Sequence, residues 1–464
     1  MKRVALLLLA AISAVLAAGE TRPHYGGTLR VAMLSAPGTL SMPGAEDPLS
    51  YWDMARVLSL VGDTLVRVDA EDGRYPALAV EWQRDESGRH WQFLLRPVKF
   101  HDGTWASPAA IAQILGGLHP NWTVRAATLG AGMRGAGGAS GADSITIDTD
   151  VPAPALPVEL AMPRNLILKR DANGIPIGTG PFRVTDFQPG KSLKLTASDE
   201  SWAGRPYIDG VEIEFGRSLR EQKLGLELGR VDLAEAAPDA GNGTARDRTS
   251  MSLPLELMAL VFAPNARLRD ARVREALAFA IDRKPIQFVL LKGAGEAAAS
   301  ILPNWMTGYS AAFSTQPNPT RAKALLAEAG SPALTLSYDP RDPQAQLIAE
   351  RISLNGREVG INVQVSLSGP EDVRLVRIAL PSPDPVLVLR EEARGLSLPE
   401  PSVRGYPAAV EELYAAERSL LDAHNVIPLF HVPVASATGA RVRGWSAGRL
   451  GLWDIADVWL EDAR

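Results

Sequence analysis

Leu334-Thr335-Leu336-Ser337-Tyr338, the run QAQLIAERISLNGREV at 344–359, and Ile361-Asn362-Val363-Gln364-Val365-Ser366-Leu367 are the stretches whose reading decides the fold. The first and third are short, apolar and bounded by turn residues, as strands are. Between them Leu347, Ile348, Arg351 and Ile352 fall on neighbouring rows of a helix. Strand, helix, strand at that spacing predicts a right-handed crossover between parallel strands, and hence an α/β lobe.

Working outward, two further helices flank this unit. Residues 319–329 form one, opened by Pro319 and stopped by Gly330. The other starts at Asp270 as N-cap and carries Val273, Leu277 and Ile281 on one apolar stripe, with Arg272, Arg274, Arg283 and Lys284 mostly outside it. The N-terminal half is richer in strands. Residues 27–34 read as a first strand, and Pro37, Gly38, Pro43, Gly44 and Pro48 make the chain after it a loop at a sheet edge. From Tyr75 to Ser107 short β-like runs alternate with turns, and Trp91, Phe93 and Leu95 lie two apart on the face of a strand, a core stripe. Ser107 as N-cap and Pro108 at the first helical position open a helix to Leu118. Residues 130–141 spell Gly130-x-Gly132-x-x-Gly135, but Gly137 and Gly138 deny the helix that a dinucleotide site needs, so the segment reads as a surface loop.

Length and charge narrow the function. At 464 residues the chain exceeds the ~250–300 at which one hydrophobic core stops growing, so two or more lobes are expected. Lys2 and Arg3 precede an apolar run at 4–18, the layout of an export leader over 1–19. A helix of that run reaches roughly 22 Å, short of the ~30 Å hydrocarbon core, which favours cleavage over anchoring, after either Ala17 or Gly19. Loss of the two cations Lys2 and Arg3 would take the formal net charge from −5 to −7, which disfavours nucleic acid as a partner. The chain has no cysteine, hence no disulfide, no thiolate metal site and no lipid attachment point at the cleavage site, and free diffusion in a periplasm is the expectation.

Several blocks in order resemble the peptide/nickel-type extracytoplasmic solute-binding proteins of family 5. They are Gly26-Gly27-Thr28-Leu29-Arg30-Val31-Ala32; Pro76-Ala77-Leu78-Ala79-Val80-Glu81-Trp82 continuing through Trp91 to Arg96 and on to Val98-Lys99-Phe100-His101-Asp102-Gly103; Gly178-Thr179-Gly180-Pro181-Phe182 with Pro206-Tyr207-Ile208-Asp209-Gly210-Val211; Leu228-Gly229-Arg230-Val231-Asp232; residues 270–283; Leu325-Leu326-Ala327-Glu328-Ala329-Gly330; and Ile427-Pro428-Leu429-Phe430. The resemblance implies a two-lobed α/β periplasmic-binding-protein fold, type II and cluster C-like, with an extra subdomain on the first lobe at about 48–174 and a two-strand hinge. The first lobe would hold 20–262 plus 430–464 and the second 263–429, with crossings near 257–262 and 426–430. It further implies a monomeric receptor that closes on a small ligand, a peptide first among candidates, and delivers it to an ABC permease in the inner membrane, with no cofactor.

Peptide binders of this family pair the ligand's amino group with an aspartate just ahead of a Pro-Asp-Pro-like turn. Aligned on Pro383-Asp384-Pro385, that position is Pro381, which cannot do so. Asp384 is a substitute carboxylate or a plain turn aspartate. Trp305 and Ser35 are the other candidate ligand contacts, each with a packing role as its alternative. An enzyme is disfavoured: His24, His90, His101, His119, His424 and His431 form no His-Glu-x-x-His pair, and no Gly-x-Ser-x-Gly elbow exists, so no catalytic or metal residue is assigned. A degenerate receptor serving as sensor or chaperone partner, and a binder of nickel, haem or another solute, remain as alternatives.

Overall fold

The computed structural model describes residues 22–461 apart from 45–46, 70–72, 129–142, 240–247 and 265–269. The leader and the glycine-dense loop at 130–141 therefore lie outside the described residues. In chain order the principal elements are β1 (Thr28–Ala32), α1 (Tyr51–Val61), β2 (Ala79–Arg84), β3 (His90–Leu95), α2 (Pro108–Leu118), β4 (Trp122–Thr128), β5 (Asp143–Thr149), β6 (Phe182–Gln188), β7 (Ser192–Ala197), β8 (Gly210–Glu214), β9 (Leu233–Ala236) and β10 (Thr249–Phe262). They continue as α3 (Ala271–Ala280), α4 (Pro319–Ala329), β11 (Ala333–Tyr338), α5 (Ala345–Val359), β12 (Asn362–Val365), β13 (Val373–Ala379), α6 (Pro385–Gly395), α7 (Val410–Leu421) and β14 (Val426–Thr438).

One sheet runs through both lobes in the order β6-β7-β8-β1-β9-β14-β10-β13-β11-β12. β11 pairs with β12 and with β13 in parallel, and α5 makes the crossover that the 334–367 stretch predicts. The strand there is shorter than the sequence reading, ending at Val365, and Leu347 of α5 stays exposed while Ile348 and Ile352 are buried. Helices cover both faces of this half, because the strands alternate. Met258 and Leu260 of β10 point to the core with Val273, Leu277, Ile348 and Ile352, whereas Leu257 and Ala259 face Val388, Leu389, Leu413 and Leu420.

In the first lobe Leu29 and Val31 of β1, Val211 and Ile213 of β8, and Leu193 and Leu195 of β7 pack against Met54, Val57 and Leu58 of α1. That helix went unread in the sequence. It is docked by Gly178-Thr179-Gly180: a Cβ on Gly178 would sit 2.1 Å from the Val61 carbonyl oxygen, and Gly180 N donates to that same oxygen at 2.9 Å. Glycine is required there for close approach, which gives this block its physical reason. A separate four-stranded sheet, β2-β3-β5-β4, builds the extra subdomain around Trp91, Phe93, Leu95, Ile145 and Ile147, with α2 across it. Ser107 caps α2 through its side chain, accepting from Ala110 N at 3.2 Å.

The two longest strands, β10 and β14, are antiparallel to one another and belong to both halves. Residues 249–251 of β10 pair with Ala435–Ala437 territory of β14, which also pairs with β9, while Glu256 to Phe262 pair with β13. Between those halves the ladder shifts register, and Pro254 faces Pro433. Neither proline has an N–H to donate, so the ladder is thinnest at that point. Bending there disturbs few hydrogen bonds, as a hinge requires.

Candidate functional site

A cleft of about 810 Å³ opens beside this crossing. Its first wall comes from the loop after β1 (Leu34, Ser35, Pro37), from α1 (Asp53, Met54) and from the end of β9 (Glu235). Its second wall comes from Glu256 of β10, Arg377 of β13 and residues 340–344 ahead of α5. Pro433, Val434 and Ala435 of β14 form the floor. The loop after β1, which is an interior strand between β8 and β9 and not the edge that the sequence suggests, meets the approach to α5 there because the central strands of both halves end at the crossing.

Each wall is organised around a buried arginine. Arg56, 3% exposed, donates from Nε to the Gly451 carbonyl at 3.0 Å and lies under the Trp453 ring at 5.0 Å. Its Nη1 stands 3.5 Å from Glu235 and 3.7 Å from Asp53. Burial, and then the neighbouring charge of Glu235, push the Asp53 carboxyl well above the usual carboxylate range. On the other wall Arg377 forms a fork: Nε and Nη2 meet the two Asp342 oxygens at 3.0 and 3.1 Å, Nη1 meets Glu256 at 3.1 Å, and Nη2 also reaches Gln344 Oε1 at 3.0 Å. Burial alone would lower the Arg377 guanidinium, but Asp342 and Glu256 outweigh it and raise it. Burial raises the Glu256 carboxyl against the pull of Arg377.

Five carboxylates (Asp47, Asp53, Glu235, Glu256, Asp342) and two guanidiniums (Arg341, Arg377) line the cleft. Even with the Asp53 carboxyl neutral, four carboxylates face two guanidiniums, a balance that favours a guest bearing positive charge and offers an arginine to a carboxylate at the other end.

The four residues singled out from the sequence do not gather at one place. Ser35 lines the cleft beside Asp53. Trp305 sits at the crossing: its Nε1 donates to the Pro254 carbonyl at 2.9 Å and its ring packs with Trp52, Leu253, Leu255 and Val434. Pro381 follows β13, outside the cleft lining. Asp384 is the N-cap of α6, its Oδ1 accepting from Val386 N at 2.9 Å and Leu387 N at 3.0 Å, which is the plain turn aspartate of the two roles considered. The sequence reading missed Glu235, Asp53, Glu256, Asp342 and Arg377, which lie on five separate elements and carry no common spacing. For Glu235, Asp53, Glu256 and Arg377 the one signal was charge inside apolar strand or helix runs, as in Leu253-Pro254-Leu255-Glu256-Leu257-Met258, and Asp342, in the polar turn Asp339-Pro340-Arg341-Asp342-Pro343, lacked even that.

The halves touch on both sides of the cleft. Arg341 Nη2 meets Asp47 at 2.8 Å, Arg164 pairs with Glu391, and Arg74 Nη2 donates to the Tyr406 hydroxyl at 2.8 Å. Val158 and Met162 of the subdomain side pack on Leu387 of α6, with Tyr406 against them.

The dipeptide-binding protein of Escherichia coli is 30% identical over 217 residues, 42% of this chain and 39% of that protein. The aligned segment thus spans less than half of that relative's length. Among solved structures, a dipeptide-binding protein from a Pseudoalteromonas species in complex with Met-Leu superposes with a TM-score of 0.75 at 16% identity, over 94% of this chain and all of the other. AgaA of A. tumefaciens in complex with agropinic acid gives the same TM-score at 20% identity, over 94% and 99% of the two chains. Both show the shared two-lobed type II fold. The family described as bacterial extracellular solute-binding proteins, family 5, matches residues 74–377, close to two thirds of the sequence, and the chain belongs to that family.

Proposed function

We propose that this chain is a periplasmic receptor that closes its two lobes over a small solute carrying a cationic group, a peptide first among candidates, and hands it to an ABC importer. Its family consists of solute-binding receptors rather than enzymes. The observation that carries the reading is the acidic cleft at the β10–β14 crossing, walled by Glu235 and Asp53 on one side and by Asp342, Glu256 and Arg377 on the other. The lobes we assign are 20–262 with 430–464 and 263–429, after removal of a leader at 1–19. With proline at 381, the ligand amine would meet Glu235 of the first wall instead, and its carboxylate end would face Arg377, which Asp342 and Glu256 hold in place on the second. Ser35 contributes a neutral hydroxyl beside them. The receptor would work as a monomer without a cofactor.

Mass spectrometry of small molecules released by acid from protein purified out of the periplasm tests this. The expected result is a set of amine-bearing solutes, peptides foremost, whose re-binding weakens about tenfold or more, ~1.4 kcal/mol, in E235Q or D342N. Recovery of purely anionic or neutral solutes that bind those variants unchanged would overturn the proposed ligand class.

A further inference from the structure

The sequence spacing puts Arg283 outside the apolar stripe of the helix that begins at Asp270. The structure ends that helix at Ala280, and Asp282 caps a new short turn through Lys284 N, which carries Arg283 inward until it is 3% exposed. One of its Nη atoms donates to the Pro428 carbonyl on β14 at 2.9 Å, while Nε is buried without a partner. No carboxylate pairs with it among the described residues, and burial alone lowers its pKa to about 10. Arg377 and Arg56 show the contrast, each buried arginine there being held by two carboxylates.

Arg283 lines a second cavity of about 290 Å³, in the second lobe and separate from the cleft: no residue lines both. Three aromatic side chains, Phe279, Phe313 and Tyr414, share its lining. One wall is braced, since Phe313 and Tyr414 lie 5.1 Å apart and Tyr309 stacks edge-on against Tyr414 at 5.5 Å while donating its hydroxyl to buried Glu417 at 2.8 Å. Arg418 adds a second cation to the lining, although it stands 4.0 Å from Asp422.

A guanidinium has five N–H donors, and one taken out of water with a single carbonyl and no anion for company is left short of partners. Aromatic walls beside it offer faces to an apolar body. The combination takes a molecule with a carboxylate at one end and a flat apolar group at the other. We propose that this cavity is a binding site for a small aromatic or aryl-like carboxylate, held by Arg283 and stacked among Phe279, Phe313 and Tyr414, independent of the solute cleft.

Crystals of the mature protein soaked in 4-bromobenzoate give a direct test through the anomalous signal of bromine. The proposal expects a bromine peak among the three rings with the carboxylate on Arg283, and titration of benzoate in solution that saturates at one site, is retained in R377Q and is weakened at least tenfold in R283M. Should R283M fail to fold, F313W keeps the arginine and fills the cavity, and it is expected to abolish benzoate binding with unchanged thermal stability. A bromine peak confined to the cleft, no peak at all, or full benzoate binding by F313W would overturn the proposal.

Discussion

Arg341 and Asp47 meet at 2.8 Å across the mouth of the cleft, one from the turn ahead of α5 and the other from the loop that leads into α1. Arg341 also holds Asp339 at 2.6 Å, so its guanidinium is already aimed when the first lobe arrives. Both side chains keep solvent contact, and an exposed pair of this kind contributes about 1 kcal/mol or less. D47N should therefore lower the closed-to-open ratio by no more than about fivefold, and 0.5 M salt should mimic most of that loss. Small-angle scattering of wild type and D47N at low and high salt checks this; equal profiles for the two proteins at low salt would show that the pair does not favour closure.

Trp305 braces the hinge rather than the ligand, through its bond to the Pro254 carbonyl. W305F keeps most of the packing with Trp52, Leu255 and Val434 but leaves the Pro254 carbonyl without its donor. The expected cost is about 1 kcal/mol in chemical unfolding. Calorimetry should find ligand affinity close to that of wild type; a tenfold loss of affinity with unaltered stability would place the indole on the ligand instead.

Asp384 caps α6, so D384A should cost about 1–2 kcal/mol of stability, and D384N, which can still accept from Val386 and Leu387 N–H, should recover most of it. Ligand affinity should stay within twofold of wild type in D384N. A large loss of affinity in D384N with full stability would return this residue to the ligand site.

Asp232 supplies the clearest pH dependence. Burial would raise its carboxyl, but Arg441 and Arg30 more than reverse that, through bonds of 2.6 to 2.9 Å, and bring it down to about 2. Because the folded value lies below the unfolded one, the stabilisation is fully present above about pH 4 and is lost as the pH falls toward 2. Its size is on the order of 2 kcal/mol. Urea unfolding of wild type and D232N from pH 6 to pH 2 should give curves that differ at neutral pH and converge in acid; a constant gap would contradict this role.

Much of the fold was legible because its signals are local. The crossover at 334–367, the Ser107 and Asp270 caps and the Trp91-Phe93-Leu95 stripe each depend on neighbours in sequence, and the structure builds each of them. The Leu228-to-Asp232 block was visible as a pattern, but its reason, a carboxylate joining β1 to the chain after β14, needs partners about two hundred residues away. The site was less legible for the same reason. Glu256 and Arg377 are cross-strand neighbours only after β10 and β13 pair, and Arg283 turns inward only because Asp282 starts a new turn. Nothing in the spacing of such residues announces that they will share a cavity.

In the proposed function two lobes close over a guest about the Pro254–Pro433 crossing. The chain has no cysteine, so Glu81→Cys and Glu358→Cys introduce one spin-label site on each lobe without background. Pulsed dipolar distances should be long and broad in protein stripped of its ligand by unfolding and refolding, and should shorten and narrow when the acid-released solute fraction is returned. One narrow distance, identical in the stripped and reloaded protein, would contradict closure about that hinge.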